Sequence, residues 1–463
     1  MYLSNLEFSY EEHLSHVYFM EGWHRDPIFP IISCGTPMKN GHGSPGYGQK
    51  SGIFPPVIPW KGGGHLQVLL PNPRRGGTRI YGRGSSRLRC EADRSMAADV
   101  FFAGLRARGD AESRIAKIRR LFTAAGIDGC IRERDLCAIK VHFGERGCDT
   151  YVNPVYVRQV VDMVRAEGGR PFLTDTATLY SGSRSNAVDH IATAIGHGFD
   201  YSVVGAPIII ADGLRSGHVV EVKAGRKHFD RVFIAGDIAR ADSMVVISHF
   251  KGHMLAGFGG AIKNLAMGCA PARGKREEHR ANTLVVEERC RGCGDCTDVC
   301  PAGALSLEEE KVRLDQERCI GCGECMTVCL QSAIEFDWMV DIAPFVERMV
   351  EYACGALEGK RDRAGFFNFL LSITPDCDCV PWSDAPIVPD IGILASRDPV
   401  AIDAASLDLV NKQSGLAGSL LQSHRRPGED KFRGVWAHTD GSLQLAYAEE
   451  CGLGERAYRL VEI

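Results

Sequence analysis

The sequence predicts an α/β fold: a mainly parallel sheet domain interrupted by a small inserted α+β module. Three observations carry this expectation. From residue 96 onward, short apolar runs alternate with helix-length amphipathic segments, the pattern of a parallel sheet covered by helices. Two cysteine-rich runs between residues 290 and 329 break that alternation, and after residue 341 it resumes. The plan is therefore residues 1–95 as an extension, 96–281 as the first part of the α/β domain, 282–341 as the insert and 342–463 as the second part. An insert of this kind is held at both ends.

The totals bound the class of protein. With 463 residues, 44% hydrophobic and 24% charged, the chain is ordinary globular material, long enough for more than one domain. A net charge of −4 gives no general attraction to nucleic acid or an anionic membrane. No apolar stretch approaches the length of a membrane span. Met1 to His13 carry Glu7, Glu11 and Glu12 instead of a basic start and an apolar run, so no export signal is apparent. Reduced cytoplasm is the expected home of the 18 cysteines.

Residues 1–95 read as a low-complexity, disordered extension. Gly41–Gly48, Lys61–Gly64 and Arg74–Arg94 are rich in Gly, Pro and Arg with no sustained period. Met96 is the preferred true start, a disordered regulatory tail being the alternative. A strand follows at Asp99–Ala103. Ala111 to Gly126 is a helix, with Ile115, Ile118, Leu121 and Phe122 at helical spacing and Gly126 as its stop. Leu136–Val141 is a buried strand. Asn153 and Pro154 supply the N-cap and first-turn proline of a helix carrying Val157, Val160, Val161 and Val164. Strands at Pro171–Thr174, Pro207–Ala211 and Met244–Ser248 accompany a helix over Ser185–Gly198, with Val188, Ile191 and Ile195 on one face. Beyond the insert, Ile391–Ala395 is a strand, and Asp398-Pro399 opens a helix with Ile402, Ala405 and Leu409.

The insert holds Cys290, Cys293, Cys296 and Cys300, then Cys319, Cys322, Cys325 and Cys329, each run spaced C-x2-C-x2-C-x3-C. Two such runs are what a pair of 4Fe–4S clusters requires, the fourth thiolate of each reaching across to the other cluster. The expected sets are Cys290, Cys293, Cys296 and Cys329 for one, and Cys319, Cys322, Cys325 and Cys300 for the other. Gly292, Gly294, Gly321 and Gly323 let the backbone curl so that N–H groups face sulfide. The runs start 319 − 290 = 29 residues apart, and each precedes a turn and a strand (Ala304–Leu307; Ala333–Phe336), as in a bacterial-ferredoxin-like domain. Zinc prefers two cysteine pairs separated by a longer span. Pro301 follows the first run but Leu330 follows the second, a change expected to alter cluster potential more than assembly.

Outside the insert, the apolar runs stop at ionisable residues: His142, Asp175, Asp212 and His249. In a parallel sheet these ends share one edge, where α/β proteins place ligands. One such residue alone is usually a loop cap; several in step point to a site. His142, Asp175, His249 and Lys251 are therefore candidate catalytic groups, the first three expected to converge on one cavity with Lys251 near its wall and Lys140 and Glu145 close by. An imidazole beside a carboxylate is expected to titrate near neutrality. Gly257 to Asn264 reads as glycines opening a helix, an anion site or a simple tight turn. His249 and His253 would share a helix face and ligate metal if that stretch were helical, against which Gly252 speaks. Cys377 and Cys379, alternating with Asp376 and Asp378, form a possible extra site: a soft-metal pair, a disulfide or an electron acceptor. Cys34, Cys90, Cys130, Cys137, Cys148, Cys269, Cys354 and Cys451 are scattered packing or exposed thiols.

Several stretches together resemble the domain-of-unknown-function family 362, and more narrowly its iron–sulfur-centre members. They are Ile139–Glu145, Leu173–Thr176 with Tyr180–His190, Ser248–His253, Gly257–Gly268 and Asp390–Asp403. The resemblance runs from about Met96 to Asn411. It implies little about the reaction, so the residues carry that reading. The chain is expected to bind two 4Fe–4S clusters and to pass electrons to a small-molecule site on the α/β domain, as an oxidoreductase. The alternative is a ferredoxin-like carrier or binding module without catalysis of its own; a less favoured one is metal or cluster handling through Cys377 and Cys379. Partners are then a redox protein or a small-molecule substrate, with no nucleic acid and no membrane span. No fingerprint for bound nicotinamide or flavin is present.

Overall fold

The computed structural model describes residues 97–463, except residues 181, 280–282, 301, 320–323 and 337–340. The expectations for residues 1–95, Met96, Pro301, Gly321, Cys322 and Gly323 lie outside the described residues. In chain order the strands are β1 (Ala98–Gly104), β2 (Leu136–Val141), β3 (Arg170–Asp175), β4 (Ile208–Ile210), β5 (Val219–Lys223), β6 (Arg231–Ala235), β7 (Ser243–His249) and β8 (Lys251–His253). There follow β9 (Gly257–Gly259), β10 (Thr283–Val285), β11 (Leu305–Glu308), β12 (Lys311–Leu314), β13 (Ile334–Phe336), β14 (Ala364–Leu370), β15 (Gly392–Ser396) and β16 (Tyr458–Glu462).

Eight of these form one sheet in the order β16-β1-β15-β14-β7-β2-β3-β4. From β14 to β4 every pairing is parallel. β15 alone runs against its neighbours β1 and β14, while β1 and β16 are parallel to each other. This is the α/β class expected, with one reversed strand that an apolar run such as Ile391–Ala395 does not betray.

Both faces of the sheet are covered. All seven residues of β7 and all seven of β14 are buried, as the continuous apolar runs require. Along β7, Met244 and Val246 enter one hydrophobic core, and Val245 and Ile247 enter the other. Helices Arg114–Ala124 and Pro154–Ala166 lie on the second face, the latter capped by Asn153 Oδ1, which accepts from Val155 N at 2.9 Å. Helices Ala261–Ala266, Ile342–Ala356 and Pro399–Asn411 lie on the first. Among the described residues no helix is long and apolar enough to cross a membrane.

Three local expectations need correction. In helix Ala187–Gly196 the buried residues are His190, Thr193 and Ala194, while Val188 is 64% and Ile195 47% exposed. The helix turns its polar side inward because it packs over charged groups at the sheet edge. Ile115, expected in the core, is also exposed. Residues 249–253 are not helical: His249 ends β7 and His253 ends β8, so the helical pairing of their rings does not occur. At Gly252 a side chain would run into the Pro375 carbonyl.

Residues 283–336 make their own small sheets, β10 with β13 and β11 with β12, and a separate hydrophobic cluster around Cys296, Leu305, Val312, Met326 and Ile334. Leu179 and Ala272, from the main body, complete that cluster.

Candidate functional site

The cysteine segment repeats its hydrogen bonds with a 29-residue offset. Val286 N donates to Ala333 O and Asp315 N to Ala304 O, both at 2.8 Å. Cys300 Sγ accepts from Ala304 N and Cys329 Sγ from Ala333 N, both at 3.2 Å. The start of each copy thus pairs with the end of the other. Cys329 is carried to the first run, and a cavity of about 140 Å³ is lined by Cys290, Cys293, Cys296 and Cys329, with Leu330, Val312 and Ile334 around them. Burial, and then the neighbouring Cys329, Cys293 and Cys290, push the Cys296 thiol up to about 11. Four sulfur donors around one cavity fit a metal cluster, which relieves that repulsion by taking thiolates. Of the second set, Cys319, Cys325 and Cys300 are described, and Cys319 Sγ lies 3.6 Å from Thr283 Oγ1. Leu330 is 91% exposed at the rim of the first cavity.

The second assembly sits at the carboxyl edge of the main sheet. β2, β3 and β7 are adjacent and parallel, so their ends deliver His142, Asp175 and His249 side by side. The loop after β14, the next strand over, supplies Asp378. Its Oδ1 lies 2.8 Å from His249 Nδ1 and its Oδ2 3.0 Å from Lys251 Nζ. His249 Nε2 donates to Leu371 O at 2.8 Å, so both ring nitrogens face acceptors. Burial acts to raise Asp378, but His249 and Lys251 outweigh it and hold the carboxyl well below its usual range.

Asp175 anchors the other half. Lys140 Nζ lies 3.0 Å from Oδ1, while Arg184 NH1 and His190 Nε2 each lie 3.7 Å from Oδ2. Despite its burial, the Lys140 ammonium, with the Arg184 guanidinium, holds its carboxyl far below the usual range. Arg184 donates to Glu145 Oε2 from Nε at 3.1 Å and to Tyr180 OH from NH2 at 2.7 Å. Its NH1 lies 3.1 Å from His142 Nε2, and Gly144 N lies 3.0 Å from His142 Nδ1. Two N–H donors thus face the two ring nitrogens. Burial, aided by the Arg184 charge, holds His142 well below the usual imidazole range. His142 therefore does not titrate near neutrality; it is a neutral base between two carboxylate clusters.

Desolvating an ion costs several kcal/mol even after relaxation, and apolar replacements of buried pairs are often neutral or stabilising. Lys140, Asp175, Arg184, His249, Lys251 and Asp378 are all buried at one edge. Packing alone does not explain them. His142, Tyr180, His253, Lys263 and Asn264 beside them are half-buried. Burial, and then the Lys251 charge, bring Lys263 down to about 7.

The sequence expectation thus placed His142, Asp175, His249 and Lys251 together, with Lys140 and Glu145 beside them. Asp212 does not join them: it accepts from Ala177 N at 3.1 Å and Ser216 Oγ at 2.5 Å, tying two loops. The glycine-opened helix is no free anion site either. Asp403 occupies its N-terminus, accepting from Ala261 N at 2.7 Å and Ile262 N at 2.9 Å, and a side chain at Gly260 would run into that carboxylate. Arg184 and His190 were not singled out as site residues, and Asp378, singled out beside Cys377 and Cys379, was not connected to His249 and Lys251. The polar side of helix Ala187–Gly196 was a signal for His190; nothing local marks Arg184 as a partner of Asp175. Cys377 and Cys379 are joined by a disulfide. Cys130, Cys137, Cys148, Cys269, Cys354 and Cys451 are buried, as packing residues.

The model of the family described as Domain of unknown function (DUF362) matches residues 137–408. No curated protein matches the chain. Among solved structures, it is similar to the lactate racemase apoprotein from Thermoanaerobacterium thermosaccharolyticum, at 11% identity and TM-score 0.31, covering 59% of this chain and 51% of that one. It is also similar to a crystal structure of a protein from Thermotoga maritima, at 10% identity and TM-score 0.31, covering 57% of this chain and 52% of that one. The chain spans about half the length of each.

Proposed function

The chain belongs to the DUF362 family, and from that premise we propose that it is an iron–sulfur protein that exchanges electrons with a small polar molecule at the sheet edge. The observation that carries the proposal is the cavity lined by Cys290, Cys293, Cys296 and Cys329, three thiols of one run and the fourth of the other. Cys319, Cys322, Cys325 and Cys300 are the second ligand set, and residues 282–341 are a ferredoxin-like insert. Such clusters supply one-electron transfer. The chain's residues do the rest. Asp175 and Asp378 fix the surrounding cations, neutral His142 orients the Arg184 guanidinium at the site, and Lys263 exchanges a proton near neutrality. His249 and Lys251 hold Asp378 in place. The insert packs on Leu179, the residue before Tyr180, whose hydroxyl accepts from Arg184, so the two assemblies share a wall.

Protein purified anaerobically is expected to carry about eight irons and eight sulfides. Stoichiometric zinc without labile sulfide would overturn the reading. A second reading, an electron carrier without its own chemistry, is favoured by the exposure of Cys293 and Leu330 at the cavity rim, where a redox protein can dock. The two part on one measurement: an enzyme's reduced centres reoxidise with a metabolite, a carrier's only with another redox protein.

A further inference from the structure

Cys377 and Cys379 flank Asp378, the carboxylate that holds His249 and Lys251, and their sulfurs are bonded to each other. We propose that this pair is a thiol–disulfide exchange centre, whose substrates are a small dithiol in one direction and a disulfide in the other. It stands apart from the iron–sulfur reading, because the dithiol itself supplies both electrons.

The surroundings distinguish the two sulfurs. Cys377 is buried, with Lys263 Nζ 4.0 Å from its Sγ, whereas Cys379 is partly exposed. A substrate thiolate therefore reaches Cys379, and the sulfur that departs is Cys377, beside an ammonium that stabilises a thiolate. The S–S bond breaks as the new bond to Cys379 forms. The second thiol of the substrate then attacks that mixed disulfide and releases Cys379. The substrate leaves as a disulfide, and two electrons and two protons have passed to the pair. Run backward, the Cys377–Cys379 dithiol reduces a disulfide.

The pair is held so that it can close again. Gly252 N donates to Thr374 O at 2.9 Å, Trp436 Nε1 to Pro375 O at 3.0 Å, Glu145 N to Asp378 O at 2.8 Å and Tyr180 OH to Cys379 O at 2.7 Å. Backbone clamped on both sides keeps the sulfurs adjacent when the bond is open. A structural staple is the weaker account, since disulfide stabilisation grows with the loop enclosed and the separation here is 2 residues. A metal site is also the weaker account. A ring nitrogen of His253 lies within 4.8 Å of both sulfurs, but His253 Nδ1 already accepts from Leu255 N at 3.2 Å and Ala256 N at 3.0 Å. The neutral ring then carries its proton on Nε2, and offers the sulfurs a donor in place of a ligand lone pair.

The test treats the full native chain briefly with dithiothreitol, quenches in acid, alkylates after unfolding, and weighs the peptide holding both cysteines. Untreated protein should show no alkyl group there, and treated protein two. Lys263→Met should slow the reduction about tenfold, with Lys263→Arg retaining most of the rate. Should Lys263→Met fail to fold, single variants decide: Cys379 in Cys377→Ser should alkylate in the native protein, and Cys377 in Cys379→Ser should stay protected. Free thiols in aerobically prepared native protein, a bond that opens only on unfolding, the reverse order of protection, or one zinc held by the reduced pair would each overturn the proposal.

Discussion

Val286 donates its backbone N–H to the carbonyl of Ala333 at 2.8 Å, joining the start of the first cysteine copy to the end of the second. Its counterpart, Asp315 to Ala304, does the reverse. If the copies were independent, Cys329 would serve its own run. The interlock instead assigns it to Cys290, Cys293 and Cys296. We expect Cys329→Ala and Cys290→Ala to lose the same cluster, and Cys300→Ala to behave like Cys319→Ala. Iron content should fall from about eight to about four in each case. Paramagnetic resonance of the reduced variants checks which signal survives; a Cys329→Ala spectrum matching that of Cys325→Ala would refute the interlock.

Acid should weaken the fold below the ordinary histidine range. Burial holds His142 and His253 well below 6.5, and His190 and His279 down to about 3. The unfolded chain protonates all four near pH 6.5, while the folded chain refuses those protons, so stability is present above that pH and falls as pH drops through it. Buried carboxyls oppose this, Asp403 and Glu278 foremost, with Asp212 and Asp398 also raised by burial. Burial raises Asp403 to about 6 and Glu278 well above its usual value, so the fold keeps protons that the unfolded chain has released. The four histidines are the larger side of the balance, so the net slope keeps their sign and stability falls as the pH falls. Urea midpoints at pH 7.5 and 5.5 measure it; an equal or higher midpoint in acid would contradict the assignment.

Asp403 offers a purely structural test. It accepts from Ala261 N and Ile262 N and from Asn368 Nδ2 at 2.7 Å. Asp403→Ala leaves three buried donors unpartnered, at about 1–3 kcal/mol each. A loss of about 3 kcal/mol or more in denaturant unfolding is expected, with the cysteine segment's metal content unchanged.

How far the molecule was legible follows from where its signals lie. A parallel strand buried on both faces is a continuous apolar run, and the first ionisable residue after it marks the sheet edge; this is why His142, Asp175 and His249 were readable together. The grouping of Cys290, Cys293, Cys296 and Cys329 around one cavity was readable because the spacing of the two runs is a local, repeated pattern. Asp378 and Arg184 were not, because their contacts depend on strand order. Asp378 reaches His249 only because β14 lies beside β7, and no local pattern encodes that neighbour. Helix Ala187–Gly196 misled for a related reason: its inner face meets charge, so the apolar stripe of Val188 and Ile195 points outward.

Asp378 is the group on which the sheet-edge cluster turns, and its replacement separates charge from shape. Asn is nearly isosteric, yet its amide nitrogen must face either His249 Nδ1 or Lys251 Nζ, both of which meet a carboxylate oxygen in the native protein. Donor then meets donor, and Lys251 is left buried without its counter-charge. Breaking a buried pair from one side costs about 3–5 kcal/mol, far more than removing both partners. Asp378→Asn should therefore lower stability by that amount, while Asp378→Asn with Lys251→Met should recover part of it. A coupling above about 1 kcal/mol in that double-mutant cycle is expected. If the single and double variants were equally destabilised, the Lys251 contact would be incidental and Asp378 would act through His249 alone.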